Sequence, residues 1–353
     1  MASSEVILCS VPIMATVLVT GGAGYIGSHT CVALMEAGWD VAVLDSLENS
    51  SAAAVDAIAE ITGRQARFDV GDCRDESTVE MVMAEVGPYA VLHFAGLKSV
   101  PESVADPLRY YRHNLESTAV LLEVMERSGV RRIVFSSSAT VYGPPGELPV
   151  SELANTRPAN PYGWTKLMIE QMIADVVRSD PRWSASLLRY FNPVGAHPSG
   201  LIGEDPEGVP GNLMPYLLQV AVGRRPVLPL YGTDYPTPDG TALRDYIHVM
   251  DLAEGHLAAL QALEPSAGQV HVYNLGTGRA ASVREVIAAM REATGHPLPH
   301  EELERRAGDV PELWADPSKA RRELGWSAAR TLAEMCQDAW AWQSTHPQGY
   351  RAN

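Results

Sequence analysis

The chain has 353 residues, of which 46% are hydrophobic and 20% are charged. This length exceeds the usual size of one compact domain, so we expect one large or two intimate domains with a sizeable core. Because 43 acidic residues face 27 basic ones, the net charge is -16 and the average field repels phosphates. General binding to nucleic acid or to an anionic membrane is therefore excluded, and any phosphate must be held locally by backbone N–H groups and a few basic side chains.

Cysteine and histidine usage argues against a metal site and against a dithiol redox site. The cysteines form no CxxC pair, which favours a reduced, cytoplasmic protein over a zinc or dithiol site; they are Cys9, Cys31, Cys73 and Cys336. The histidines have no HExxH spacing and the acidic residues do not cluster, so we expect no metal.

The start of the chain predicts neither a secretory signal nor a membrane anchor. No Lys or Arg precedes the short apolar stretch within residues 1–13, as a signal peptide would normally require. No apolar run approaches the ~20 residues of a membrane span. Met14 begins a sequence that resembles a natural start, so we expect residues 1–13 to be an extension without function.

Short apolar runs alternate with helical patterns through the first half of the chain. The predicted strands are 17–20, 41–44, 90–94 and 133–136, which are apolar or β-branched like buried parallel strands. Helical patterns include 26–37, closed by Gly38 as a C-terminal glycine would close it, and 119–127. This alternation predicts βαβ units in a doubly wound parallel sheet over residues 14–190.

The composition changes after about residue 191. Residues 192–240 are rich in Pro and Gly, and loops of this length in compact proteins are usually functional. Helical patterns follow at 249–263, 283–294 and 332–343. We predict that residues 191–353 form mainly a smaller covering domain, from which a later segment can return to the sheet.

A glycine-rich turn separates the first predicted strand from the first helix. Its sequence, TGGAGYIG over residues 20–27, lets the backbone turn tightly and places a pyrophosphate at the helix N-terminus. Two registers fit: Gly22-x-Gly24-x-x-Gly27, common in dinucleotide sites, and Gly21-x-x-Gly24-x-x-Gly27, typical of short-chain dehydrogenase relatives. The spacing alone does not choose between them.

Acidic residues after the next two strands indicate which dinucleotide is bound. Asp45 ends the second predicted strand, where a carboxylate accepts both adenosine ribose hydroxyls and repels a 2′-phosphate. Ser46 follows it, with no Arg, so NAD is favoured over NADP. Asp69 and Asp72 follow a third run, and we favour Asp72 as the residue that meets the adenine amino group; a solvated loop cap is the alternative for either.

A Ser, a Tyr and a Lys form the candidate catalytic group. Ser138 lies in FSSSATVYG at a strand end, where open parallel sheets bind ligands. Tyr162 and Lys166 share one face of a helix that begins near Pro161. A Tyr base needs its pKa lowered from about 10, which a nearby ammonium and an oxidised nicotinamide ring can supply. We predict Tyr162 as the base, Lys166 as its charged partner and ribose ligand, and Ser138 as the group orienting the substrate oxygen.

Taken together, the motifs resemble the family of UDP-glucose 4-epimerases, also called UDP-galactose 4-epimerases, over nearly the whole chain from Met14. The resemblance rests on VLVTGGAGYIGSHT, HFAGLKSV, FSSSATVYG, PYGWTKLMIEQ, LRYFNPVGAHPSG, NLMPY, RDYIHVMDLA and YNLGTG, in this order. It implies an extended short-chain dehydrogenase/reductase with a Rossmann-type doubly wound parallel sheet and a smaller mixed α/β substrate-binding domain. It further implies tightly bound NAD, UDP-glucose and UDP-galactose as substrates, and a homodimer formed through helices of the large domain.

The resemblance also assigns roles position by position. Around NAD it implies Gly21, Gly24, Tyr25, Ile26, Gly27, Asp45, Ser46, Asp72, Cys73, Phe94, Ala95, Gly96, Lys98, Tyr162, Lys166 and Tyr190, with Phe191 beside the last. Around the UDP-sugar it implies Ser138, Tyr162, Asn192, Asn212, Leu213, Tyr231, Arg244, Arg306, Asp309 and Leu313. Arginine suits a diphosphate because its guanidinium is a planar donor fork. For Arg244, the alternative is a surface ion pair with Asp245.

Two positions depart from the family pattern. His113 stands where relatives often carry Asn near the nicotinamide, and by itself it is more typical of a packing or surface histidine. Leu313 stands where relatives carry either a bulky Tyr or a small residue. The size of the side chain at this position limits the room at the sugar 2-position. Because Leu is intermediate, activity on N-acetylated UDP-hexoses is left open.

The implied reaction is an epimerisation by transient oxidation. Tyr162 removes the proton of the C4 hydroxyl while the C4 hydride moves to NAD, the 4-keto sugar rotates, and the hydride returns to the other face. A 4,6-dehydratase is the nearest alternative, but its relatives carry Thr-Asp-Glu where this chain has Ser138-Ala139-Thr140. A non-catalytic NAD sensor is a second alternative, which the presence of both Tyr162 and Lys166 disfavours.

Overall fold

The structure is a computed structural model that describes residues 15–264, 268–306 and 309–350. The extension expected at residues 1–13 lies outside the described residues. Among the described helices, none combines the length and the apolar character needed to cross a bilayer.

A seven-stranded, all-parallel sheet forms the centre of the large layer. Its order is β10-β6-β5-β4-β1-β2-β3. The strands are β1 (Thr16–Thr20), β2 (Asp40–Asp45), β3 (Arg67–Val70), β4 (Ala90–His93), β5 (Arg132–Ser138), β6 (Ser184–Tyr190) and β10 (Gln269–Leu275). The order reverses direction at β1 and β4, so their carboxyl ends form the crevice where such sheets bind ligands.

Smaller sheets lie in the C-terminal half. In the first, β11 (Ala280–Ser282), β9 (Leu243–His248) and β13 (Glu312–Leu313) lie side by side, and β7 (Asn192–Val194) also pairs with β9. In the second, β12 (His300–Leu303) pairs with β8 (Leu228–Tyr231).

The described helices cover these sheets. They are α1 (Tyr25–Glu36), α2 (Ala52–Thr62), α3 (Glu76–Val86), α4 (Val100–Ala105), α5 (Pro107–Ser128), α6 (Pro161–Ser179), α7 (Leu213–Ala221), α8 (Val249–Gln261), α9 (Val283–Thr294), α10 (Ser318–Leu324) and α11 (Leu332–Thr345). Apolar side chains of α1, α2 and α8 pack on one face of the large sheet, and those of α3, α5 and α6 pack on the other. A separate core joins α7, α9 and α11 to β8 and β9.

This architecture confirms the predicted Rossmann-type doubly wound parallel sheet with a smaller mixed α/β unit. The predicted helix over 119–127 is the second half of the longer α5, and the strand predicted over 90–94 ends at His93. Strand β10 returns to the large sheet from the C-terminal half and pairs along its whole length with β6. The predicted division between residues 190 and 191 stays a prediction.

Candidate active site

The glycine-rich turn leaves no room for side chains where it passes the sheet. Gly21 has φ of 72°, and a Cβ there would lie 2.7 Å from the backbone nitrogen of Ala95. A Cβ on Gly27 would lie 2.2 Å from the carbonyl oxygen of Gly21. Gly24 caps α1 with no side-chain hydrogen bond. The first N–H groups of α1 therefore have no side-chain cap, which is how a helix N-terminus receives a phosphate.

Both predicted glycine registers have a steric basis in this turn. A Cβ on Gly22 would lie 2.9 Å from the side chain of Val43 in the neighbouring strand, and one on Gly24 would lie 3.2 Å from the Gly21 carbonyl oxygen. Of the two alternative first glycines, only Gly21 requires a positive φ. The turn as a whole thus fits the backbone approach that a dinucleotide pyrophosphate needs.

Asp45 lies at the carboxyl end of β2, beside the turn. Its carboxylate accepts hydrogen bonds from the backbone nitrogens of Ala23 (3.0 Å) and Leu47 (2.9 Å) and from the Ser50 hydroxyl (2.7 Å). It therefore ties the turn to the β2 loop, while the neighbouring Ser46 is exposed. A buried carboxylate at this point repels a 2′-phosphate, which supports the preference for NAD.

Asp72 and Cys73 follow the carboxyl end of β3, at the same edge of the sheet as Asp45. The carboxylate of Asp72 accepts from the backbone nitrogen of Arg74 at 2.8 Å and pairs with its guanidinium, which lowers the pKa of Asp72. Cys73 is buried, and burial raises the pKa of its thiol to about 12, so it is unreactive. The Asp72–Arg74 pair is a feature that the sequence reading did not include.

The segment after β4 forms the next wall of the crevice. The backbone nitrogens of Phe94 and Ala95 donate to the carbonyl oxygen of Thr20, at 2.9 and 3.1 Å. Gly96 has φ of 153° and faces Asn114, to whose Oδ1 an added Cβ would come within 3.2 Å.

Asn114 is a buried residue that the sequence reading missed. Its Oδ1 accepts from the nitrogen of Leu97 at 2.8 Å, and its Nδ2 donates to the Leu97 carbonyl and to the Thr165 hydroxyl, both at 3.0 Å. It thereby joins the loop after β4 to α6. The neighbouring His113 instead contacts Glu48, with Nε2 3.2 Å from the carboxylate.

Lys98 and Tyr25 lie where the two halves of the chain meet. The Lys98 ammonium lies 3.3 Å from the carboxylate of Glu204 and 5.9 Å from the ring centroid of Tyr25. The hydroxyl of Tyr25 donates to the Gly195 carbonyl at 2.7 Å. Ile26, the next residue of α1, packs partly buried against the core.

The Ser, Tyr and Lys of the candidate catalytic group converge at the ends of β5 and α6. Ser138 is the last residue of β5, and Thr140 approaches its hydroxyl at 3.0 Å. The Asn160 side chain caps α6 by accepting from the Gly163 nitrogen at 2.9 Å, which places Tyr162 in the first turn. The Tyr162 phenol lies close enough to the Ser138 side chain for Ser138 to influence its pKa.

Lys166 lies one turn further along α6, against the same strand. Its ammonium donates to the Ser136 carbonyl at 2.7 Å and lies 5.9 Å from the centroid of the Tyr162 ring. Burial lowers the pKa of Lys166 to about 8, and the Glu170 charge partly opposes this. Burial also raises the pKa of Tyr162 to about 12, against the smaller opposing effect of its hydrogen bond to Ser138. The protein groups alone therefore favour the protonated phenol. The lower pKa expected for Tyr162 requires a further positive charge nearby, which a bound oxidised nicotinamide would supply.

A buried ion pair behind Lys166 was also missed by the sequence reading. Glu170 and Arg189 are each nearly fully buried and meet in a bidentate contact at 2.9 and 2.6 Å. Glu170 also accepts from the Ser137 hydroxyl. Such a pair requires full hydrogen bonding to be tolerated in a core, and here it ties α6 to β5 and β6.

The residues predicted to hold UDP lie on the smaller unit. The guanidinium of Arg306 lies 4.0 Å from the centroid of the Tyr231 ring, and that of Arg244 lies 3.8 Å from the Asp309 carboxylate. Asp245 does not pair with Arg244, because it is buried and accepts from the nitrogens of Thr277, Gly278 and Ala315. The alternative reading of Arg244 as half of a pair with Asp245 is therefore wrong.

Four further predicted substrate residues border this group. Asn212 is the residue before α7 and makes no side-chain cap there, so its amide is available, and Leu213 begins the helix. Leu313 in β13 lies beside Arg244 in β9 and also packs on the cluster around Ala139 and Val141. Asn192 begins β7 and is partly exposed, directly after Tyr190 and Phe191, which are both buried.

The described residues contain no group of three or more His, Cys, Asp or Glu side chains that could hold a metal ion. What converges is a phosphate-binding turn, an acidic residue at the second strand end, and a Ser, Tyr and Lys at the fifth strand and the following helix. Together they define a dinucleotide-dependent enzyme of the short-chain dehydrogenase type.

Comparisons with known proteins agree with this class. Residues 17–276 match the profile of the NAD dependent epimerase/dehydratase family, and the chain belongs to that family. A UDP-glucose 4-epimerase of Bacillus subtilis is 55% identical over 336 residues, which are 95% of this chain and 99% of the relative. The predicted resemblance to the UDP-glucose 4-epimerases is thus confirmed.

Solved structures give the same result. The UDP-glucose 4-epimerase of Bifidobacterium longum, in complex with NAD+ and UDP, has a TM-score of 0.92 and 52% identity, covering 95% of this chain and all 100% of its own. The UDP-Glc/GlcNAc 4-epimerase of Campylobacter jejuni has a TM-score of 0.81 and 36% identity, covering 94% of this chain and 99% of its own.

Proposed function

We propose that this protein epimerises UDP-glucose and UDP-galactose at C4, with NAD as a tightly held cofactor. The observation that carries the proposal is the meeting of Tyr162, Ser138 and Lys166 at the carboxyl end of the sheet that also bears the glycine-rich turn. The full-length similarity to UDP-glucose 4-epimerases supports the same reaction.

The residues around the cofactor site suit the parts of NAD. The turn from Gly21 to Gly27 and the N-terminus of α1 would hold the pyrophosphate, and Asp45 would hold the adenosine ribose. Asp72 would meet the adenine, Lys98 would approach the phosphates, and Lys166 would reach the nicotinamide ribose. When bound, NAD supplies the acceptor that takes the hydride from C4 and gives it back.

The catalytic side chains handle the proton of the C4 hydroxyl. Ser138 would hold the hydroxyl beside the Tyr162 oxygen, and Tyr162 would take its proton as the C4–H bond breaks. Lys166, while protonated, favours the tyrosinate that results, because the two charges attract in a site shielded from water. Tyr162 then returns the proton to the oxygen at C4 when the bond to hydrogen re-forms on the opposite face.

Anchoring at the far end of the substrate suits this reaction. Arg244, Arg306 and Asp309 lie on the smaller unit and would hold UDP, while the hexose stays free to turn about its phosphate linkage. The 4-keto sugar must be kept from water while it exists, which gives the smaller unit its role as a cover. Ser138, Ala139 and Thr140 offer no carboxylate for the acid–base step of a dehydratase.

The first experiment is incubation of the purified protein with UDP-galactose and, separately, with UDP-N-acetylgalactosamine, without added NAD. Separation of the products should show UDP-glucose from the first substrate, and the second reaction determines whether N-acetylated sugars are accepted. Released 4-keto-6-deoxy sugar would identify a dehydratase instead. NAD binding without any change in UDP-galactose over hours would identify a non-catalytic sensor.

The base assignment is tested by Tyr162→Phe. We expect kcat for UDP-galactose to fall at least about 100-fold, because general base catalysis contributes that much or more. Tyr110→Phe is the control, since it removes the hydroxyl of a buried tyrosine that donates to Glu102 in α4 and is not among the predicted site residues. Near-normal epimerisation by Tyr162→Phe, with the cofactor retained, would contradict the assignment of Tyr162 as the base.

We further propose that the protein is a homodimer in the cytoplasm. Large apolar side chains are exposed on neighbouring helices of one layer: Val104 on α4, Leu108 on α5, and Trp164 and Met168 on α6. Such a group, contributed by helices that contact one another, is typical of a surface that another protein surface covers.

A further inference from the structure

A buried histidine that is not among the predicted site residues contacts two aromatic residues predicted to line the cofactor site. His256 lies on α8 and is fully buried. Its Nε2 forms a short hydrogen bond with the hydroxyl of Tyr190, at the end of β6. The ring of His256 also packs against Phe94, with the centroids 4.8 Å apart. Both Tyr190 and Phe94 are among the residues that the resemblance places around NAD, and it places Tyr190 over the nicotinamide.

The direction of these hydrogen bonds follows from the surroundings of the imidazole. Its Nδ1 lies 2.8 Å from the Leu252 carbonyl oxygen, which can only accept, so Nδ1 carries a proton. Burial lowers the pKa of His256 to about 4, so the ring is neutral at physiological pH. A neutral ring with a protonated Nδ1 has an acceptor at Nε2, and the Tyr190 hydroxyl must therefore donate to it.

This bond fixes Tyr190 between the cofactor wall and the catalytic strand. Tyr190 lies opposite Ser138 in the register of β5 and β6. Burial raises the pKa of its phenol, and the nearby Ser136 side chain partly opposes this; the Ser136 carbonyl oxygen accepts from Lys166 at 2.7 Å. The rotation of the phenol is thus defined by groups on both sides, one on α8 and one on β5.

We propose that His256 is a positioning residue that holds the Tyr190 ring as a fixed wall of the nicotinamide site. This inference rests on the proposed function, because it concerns the geometry of hydride transfer at C4. Without the acceptor on α8, the Tyr190 hydroxyl has no buried partner on that side and the ring is free to turn toward the cofactor space. Small displacements of the reacting groups have large effects on rate.

A loosened wall has a chemical signature that loss of packing alone does not give. In a complete turnover, the hydride that leaves C4 returns to C4, and neither sugar nor cofactor is changed in oxidation state. When the 4-keto sugar escapes before the return, the sugar has lost a hydride and a proton, and the protein keeps a reduced cofactor. The amount of reduced nicotinamide that accumulates per turnover therefore measures how well the site holds its geometry.

The test compares His256→Met with His256→Gln. Met replaces the imidazole nitrogen by a thioether sulfur, which is only a weak acceptor, at similar volume, whereas the Gln side-chain oxygen can accept near the position of Nε2. For His256→Met we expect about 10-fold lower kcat, a KM within about 2-fold of the wild-type value, and about 10-fold more reduced cofactor per turnover. The NAD content of the purified protein should also fall. His256→Gln should recover most of each loss.

A double-mutant cycle with Tyr190→Phe separates positioning from stability. Tyr190→Phe removes the donor, so adding His256→Met to it should cause little further reduced-cofactor accumulation. Leu121→Ala is a control. Leu121 lies on the buried face of α5, so its truncation lowers the free energy of unfolding without changing a predicted site residue. It should leave the accumulation unchanged.

Several outcomes would overturn the inference. These are a His256→Met protein that is less stable but keeps wild-type kcat and cofactor balance, fully additive effects of the two substitutions, or a His256→Gln protein as impaired as His256→Met. If His256→Met does not fold, Tyr190→Phe and His256→Gln decide: unchanged cofactor balance in Tyr190→Phe overturns it. Failure of the wild-type protein to epimerise UDP-galactose would count against the proposed function and is distinct from these results.

Discussion

At the scale of single residues, burial acts in opposite directions on the two titratable groups of the catalytic helix. It raises the pKa of Tyr162 to about 12 and lowers that of Lys166 to about 8, in each case disfavouring the charged form. Forming tyrosinate beside a protonated Lys166 creates an ion pair. The attraction between the two charges offsets part of the free-energy cost of burying each of them. Glu170, one turn along α6, favours the charged form of Lys166 and so supports the same state.

Leu313 is the residue for which we predict a change in substrate range. It lies beside Arg244 on β9 and packs on the cluster that carries Ala139, directly after Ser138. Leu313→Tyr should reduce kcat/KM for UDP-N-acetylgalactosamine at least about 10-fold more than for UDP-galactose, because a larger ring fills space that the acetamido group needs. Product separation after parallel incubations measures both values.

The control for this prediction is the opposite change in size. Leu313→Ala should keep activity on UDP-galactose and raise the relative rate with the N-acetylated sugar. If both variants leave the ratio of the two rates unchanged, residue 313 does not limit room at the sugar 2-position. A wild-type protein without detectable N-acetyl activity would still allow the Leu313→Ala half of the comparison.

Single residues also show how far the sequence predicts the site. Gly21, Gly27 and Tyr162 could be found because each lies in a local motif whose spacing reflects a turn or a helix face. Asn114 and His256 could not, because their roles arise from contacts with Leu97 and Tyr190, on other elements. No spacing along the chain encodes a pairing between a residue of α8 and the end of β6, and only the packed fold brings them together.

At the scale of elements, α6 serves both the site and the surface. Its first turn is fixed by the Asn160 cap and presents Tyr162 and Lys166 inward. Trp164 and Met168, which alternate with them along the helix, are exposed on the outer side. Helix periodicity thus makes one element contribute catalytic groups to the crevice and apolar groups to the proposed dimer surface.

The dimer proposal predicts the result of placing charge on this surface. Leu108→Glu combined with Met168→Glu should convert the homodimer to a monomer, because burying two uncompensated carboxylates in an apolar contact is unfavourable. Analytical ultracentrifugation at fixed protein concentration gives the mass directly. Met81→Glu on α3, also an exposed apolar side chain, is the matched control and should remain dimeric. A wild-type monomer, or a dimer that survives the double substitution, would contradict the proposed surface.

The elements also show why strand prediction stopped at the first half of the chain. Strands β1, β2, β4 and β5 are continuous apolar runs, because helices bury both faces of a parallel sheet. Strand β10 lies at the edge of that sheet, its first residues are partly or fully exposed, and it contains His271 and Asn274. Its sequence lacks the apolar signal, so only its pairing with β6 identifies it as part of the large sheet.

At the scale of the whole molecule, several connections hold the two halves of the chain together. β10 belongs to the large sheet, Tyr25 donates to the Gly195 carbonyl, and Lys98 pairs with Glu204. Within the C-terminal half, the backbone nitrogen of Tyr350, beyond α11, donates to Asp205 at 2.9 Å, next to the Glu204 that pairs with Lys98. The cofactor crevice is therefore bordered by groups that are far apart in sequence.

Buried histidines make the stability of the whole molecule dependent on pH. Burial lowers the pKa of His29, His93 and His248 to about 3 and that of His256 to about 4, below the ordinary value of 6.5. Between about pH 6 and pH 4 the unfolded chain binds protons at these positions and the folded protein does not. The free energy of unfolding must therefore fall as the pH falls through this range.

We expect these four histidines to contribute about 5 kcal/mol per pH unit to this fall near pH 5, since each buried neutral histidine contributes about 1.4 kcal/mol per unit. Urea unfolding at pH 7, 6 and 5, at one protein concentration, measures the slope. In His29→Leu the slope of the unfolding free energy against pH should be smaller by about 1.4 kcal/mol per pH unit, because leucine cannot bind the proton that His29 binds in the unfolded chain. A pH slope in His29→Leu that equals the wild-type slope would contradict a neutral His29 ring in the folded protein.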